Sequence, residues 1–100
     1  MNIKELIINK TDAALDVSWR LSDGEQSSYE LFLIQGGSII ERVKRSSAVM
    51  TCSLRTMIEP MKEYAVLLTV KSGKLLSSAR AAFYAAADKP ISQCVSYRMM

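Results

Sequence analysis

Apolar and polar residues alternate along most of this chain, and the period is two. In residues 13–21, AALDVSWRL, Leu15, Val17, Trp19 and Leu21 fall on one face, while Asp16, Ser18 and Arg20 fall on the other. That is the pattern of a half-buried strand. Residues 3–8, IKELII, are β-prone and end in the polar cluster Asn9 to Asp12, a turn signal. In YELFLIQ, residues 29–35, one face carries Tyr29, Leu31 and Leu33, but the other carries Glu30, Phe32 and Ile34 and is not polar. Gly36-Gly37 then predicts a tight hairpin into SIIERV, residues 38–43. AVMTCSL, residues 48–54, predicts a strand with Met50, Cys52 and Leu54 inward. In residues 64–70, Tyr64, Val66, Leu68 and Val70 share a face.

Lys71 to Lys74 reads as the turn of a second hairpin, followed by ARAAFYAA, residues 79–86. Alanines favour a helix by propensity. The segment is short, follows a hairpin turn, and brings Phe83 and Tyr84 to a sheet that otherwise lacks its final strand, so a strand is expected. The sum is an all-β, seven-stranded antiparallel β-sandwich over residues 1–88. After Asp88-Lys89-Pro90 the tail alternates again, Ile91, Val95, Tyr97 and Met99 against Ser92, Cys94, Ser96 and Arg98. Residues 89–100 are open between an eighth strand, an edge strand that pairs with a neighbouring molecule, and a loose terminus.

The centre of the pattern is LRTMIEPMKEYAVLLTV, residues 54–70. A turn containing Pro60 leads to Tyr64, and a strand follows. Where a chain crosses between two stacked sheets, some backbone groups have no ladder partner. A buried phenol bonds one of them while its ring packs inside. Together with Trp19 in DVSWRL, Tyr29 opening YELFL, and Ile58-Glu59-Pro60 ahead of Tyr64, this resembles a fibronectin type III domain over residues 3–87. The resemblance implies a structural corner of Trp19, Ile58, Pro60 and Tyr64. Met61 departs from it, since the family has a glycine or another small turn former after the proline. Leu54 sits one position early, which implies a bulge or a longer turn. No RGD tripeptide is present, so integrin binding does not carry over. A narrower stretch, from Ser18-Trp19-Arg20-Leu21 to Gln26 and Tyr29, is similar to the fibronectin-like domain ahead of the catalytic barrel in bacterial α-L-rhamnosidases, without the tryptophan expected in the strand after the corner.

Composition narrows the chemistry. One hundred residues with a 49% apolar share suit one small domain with a real core. The net charge of +3 comes from 13 basic against 10 acidic residues, with no basic run longer than two, so nucleic acid is not expected. No apolar run approaches the ~18 residues of a membrane span. The first ten residues do not read as a signal peptide, which predicts a cytoplasmic location if the chain is whole and otherwise one set by the parent protein. There is no histidine, which removes the commonest general base and most zinc sites. Cys52 and Cys94 lack metal or redox spacing, and the plainer reading is two thiols. No phosphate loop occurs. The chain is expected to be no enzyme, with no catalytic, metal or cofactor site.

The informative feature is an apolar surplus. The outer faces of a sandwich should be polar. Phe32 and Ile34 from one strand, and Ala65 and Leu67 from another expected beside it, point outward together. Ile39 or Ile40, and Phe83 or Tyr84, extend the set. Such a patch marks an interface, unless the tail covers it. The expectation is a non-catalytic interaction or spacer module docking by this face on a companion domain or on itself as a homodimer. The second reading is an accessory domain of a carbohydrate-active enzyme. Direct carbohydrate binding is not expected, because Trp19 lies on the inward face and no row of exposed aromatics is visible.

Overall fold

The computed structural model describes residues 2–11 and 14–85, together with the backbone of 91–96. Eight strands follow in order: β1 Ile3–Lys10, β2 Leu15–Leu21, β3 Ser28–Gln35, β4 Ser38–Arg45, β5 Thr51–Leu54, β6 Lys62–Ser72, β7 Leu75–Ala85 and β8 Ile91–Ser96. They form two antiparallel sheets with strand orders β5-β2-β1-β8 and β4-β3-β6-β7. The chain is an all-β sandwich, with β8 added at the free edge of β1. The Asp88-Lys89-Pro90 break and residues 97–100 lie outside the described residues.

The alternation in the sequence becomes the core directly. Ile3, Leu6, Ile8, Leu15, Val17, Trp19 and Leu54 project from one sheet. Tyr29, Leu31, Leu33, Tyr64, Val66, Leu68, Val70, Ala79, Ala81 and Phe83 meet them from the other. Gly36 and Gly37, at φ of 59° and 82°, make the two-residue hairpin between β3 and β4. Both positions need the left-handed region that a side chain disfavours. The alanine-rich segment is a strand, and it begins earlier than its composition suggests, at Leu75. Its long pairing with β6 outweighs helix propensity.

One inward assignment is corrected. Met50 is 40% exposed, because β5 starts only at Thr51 and Met50 serves through its carbonyl, which accepts from the Trp19 N–H at 3.1 Å. Leu54 is buried and Cys52 is half-buried. Cys52 is a free thiol. β5 and β8 occupy opposite edges of one sheet with β2 and β1 between them. Three strand spacings put their backbones roughly 14 Å apart, beyond the ~7 Å Cα limit for a bridge to Cys94.

Candidate functional site

At one end of the sandwich the Trp19 indole is 2% exposed and meets Tyr29 edge-on, with centroids 4.8 Å apart. Its Nε1–H donates to Gln26 Oε1 at 2.7 Å. Gln26 Nε2 in turn donates to the carbonyls of Ser47 and Val49 at 2.8 and 3.0 Å. Gln26 is only 5% exposed, so one amide fastens the segment before β5 to the core tryptophan. Burial, and then a hydrogen bond with Cys52, push the Tyr29 phenol up to about 12. Nothing in the polar run SDGEQSS marks Gln26 as buried. Ser77, buried on β7, was also missed: its Oγ accepts from the Ile3 N–H at 3.1 Å and ties the two sheets.

The corner forms at the opposite end. The Tyr64 hydroxyl accepts from the Glu59 N–H at 2.8 Å. The Tyr64 ring stacks on Phe83 at 5.6 Å, and Ile58 is buried nearby in the same core. Pro60 is exposed in the turn. Met61, where the resemblance implies glycine or another small turn former, takes φ of 64°, a conformation costly for any residue with a Cβ. The link between β5 and β6 spans residues 55–61, which accommodates the early Leu54. The Lys62 ammonium lies 2.6 Å from the Glu59 carboxylate, which raises the Lys62 pKa.

The outward side of the β4-β3-β6-β7 sheet carries the candidate interface. Register aligns Ile39, Ile34, Ala65 and Ala82 across the four strands in one row. The next row is Arg42, Phe32, Leu67 and Arg80. A third row, Lys44, Glu30, Thr69 and Ser78, is polar. Phe32, Ile34 and Leu67 are half-buried. Ala65 faces outward but is only 4% exposed, because its methyl sits low between larger side chains. Tyr84 is outward and 50% exposed, whereas Phe83 points inward onto Tyr64. Arg42 reaches over the Phe32 ring at 5.6 Å and binds Glu30 at 2.6 Å. The described part of the tail does not cover this face, since β8 pairs with β1 in the other sheet.

The small side chains of Ala65 and Ala82 leave a groove of about 680 Å³ on this face. Ile34, Arg80, Tyr84 and Glu63 stand around it, with the Gly36-Gly37 hairpin at one end. Ala82 and Arg80 follow from the period of two once Phe83 is known to face inward.

No family model matches the chain. Among solved structures it is similar to the extracellular region of rat CD45, domains d3–d4, with a TM-score of 0.62 and 17% sequence identity. The fold is fibronectin type III-like. The match covers 92% of this chain and 48% of the CD45 one, so the chain spans about half the length of that structure. At this identity the likeness shows the fold alone.

Proposed function

We propose that this chain is a non-catalytic interaction or spacer module of a larger protein or assembly, docking through the apolar outward side of the β4-β3-β6-β7 sheet. One observation carries the reading. Two adjacent rows of that face, Ile39–Ile34–Ala65–Ala82 and Phe32–Leu67, are apolar across the strands, on a side that a lone sandwich turns to water. The fold adds support, since the matched structure is of two domains, d3–d4, within the extracellular region of CD45. A role beside a carbohydrate-active enzyme has less behind it. The residues that suggest it, Trp19, Gln26 and Tyr29, are engaged in holding the core together.

The test is Leu67→Lys in the purified chain, with binding of an apolar fluorescent dye and the solubility limit as readouts. The variant should bind less dye and stay soluble at higher concentration. Its unfolding free energy should change by under about 1 kcal/mol, as expected for a surface position. Unaltered dye binding and solubility would remove this face as the docking surface.

A further inference from the structure

We infer that the occupant of this face is a second copy of the same chain, packed face to face about a two-fold axis that runs across the strands along the Ala65–Ala82 row. The inference rests on the docking reading above and adds a partner to it. Consecutive outward rows of β6 and β7 are Glu63 with Tyr84, Ala65 with Ala82, and Leu67 with Arg80. A two-fold axis along the middle row exchanges the rows on either side of it. Ala65 and Ala82 then meet their own counterparts, where small side chains let two sheets approach closely.

The exchange is complementary in charge. Tyr84 of the second copy comes over Arg80, a cation–π arrangement. Glu63 of the second copy comes to the neighbouring position, diagonal to the same guanidinium. Each contact occurs twice. Within one copy Arg80 and Glu63 are exposed, lie four residues' rise apart along the strands, and both border the groove. No hydrogen bond or ion pair holds Arg80 among the described residues. The ring of the second copy's Tyr84 also supplies apolar volume for the groove. Axes parallel to the strands bring no such pairing, because they keep each row over itself and leave Arg80 facing the Arg42–Phe32–Leu67–Arg80 row.

The size of the patch sets the strength. Three rows by four strands cover roughly 400 Å² per copy, half of the ~800 Å² per partner of a standard interface. The dimer is therefore a transient one, formed at high local concentration.

Sedimentation velocity on the full chain, from about 10 μM to about 1 mM, reads the association expected of so small an interface. The wild type should shift from monomer to dimer across that range. Arg80→Glu and Glu63→Arg should each weaken association by roughly tenfold or more, since each sets like charges against one another. The double variant R80E/E63R should associate at least about threefold more tightly than either single variant, because the swapped pair is again opposite in sign, while staying weaker than wild type for want of the cation–π contact with Tyr84. Monomer at every concentration, single variants that associate as the wild type does, or a double variant no tighter than the single ones would each overturn the inference. A monomeric wild type in which Leu67→Lys still lowers dye binding would leave the docking face standing and assign it to a different protein. A monomer with no response to Leu67→Lys would remove both.

Discussion

The two ends of the sandwich solve the same problem with different means. Tyr29 and Gln35 stand at opposite ends of β3, roughly 20 Å apart, and each end has a connecting segment to secure. At the Tyr29 end the task falls to Gln26, whose amide makes three hydrogen bonds, one to an indole and two to carbonyls. At the far end, beside Gln35, it falls to Tyr64, whose hydroxyl accepts a single backbone N–H. The ring geometry differs too: Trp19 and Tyr29 meet edge-on, while Tyr64 and Phe83 are stacked. A buried amide with three partners fixes a loop more firmly than a phenol with one, because every partner left behind is itself unsatisfied. The corner has a second weakness that its counterpart lacks, the left-handed Met61.

This contrast is open to attack by mutation. The largest effect is expected for Gln26→Ala, which strands the Trp19 indole Nε1–H and two carbonyls. It should cost about 2–4 kcal/mol, read as a fall in the chemical denaturation midpoint. A cost no greater than that of the tyrosine variant would show that the two ends are fastened equally. Tyr64→Phe should cost about 1–3 kcal/mol, since it keeps the ring and removes only the acceptor for Glu59. An unchanged midpoint would rule out the corner as a structural tie. The smallest effect has the opposite sign. Met61→Gly relieves a left-handed conformation worth about 1–2 kcal/mol and forfeits roughly half of that to backbone entropy. The net gain should be about 0.5–1 kcal/mol, seen as a higher melting temperature.

The strands, their inward faces and the tyrosine corner were legible because each is a local signal. A period of two shows which residues meet the core, and a proline four positions before a tyrosine shows where the sheets cross. Gln26 was not legible. An amide in a run of polar residues looks solvated until the loop is seen to fold beneath the tryptophan. Met50 was misread for a related reason: the alternation continues through it, but pairing with β2 begins one residue later. The outward apolar residues Phe32, Ile34, Ala65 and Leu67 were visible one strand at a time, and register joined them into rows. The depth of Ala65 came from its neighbours in space, which no single stretch of chain reveals. The same is true of the tail. Its alternation suggested a strand, but the choice of β1 as partner depends on which edge the fold leaves free.

That choice alters how such a module can be strung. β7 ends near the corner, and β8 then runs back antiparallel to β1, with Ser96 beside Glu5. The start of β1 and the end of β8 lie side by side at the pole that holds the tryptophan, and neighbours attached at those two strand ends would share that pole. A unit wired this way hangs from its neighbours as a pendant, with the corner pole and its hairpin pointing away, instead of sitting between them like a bead on a thread.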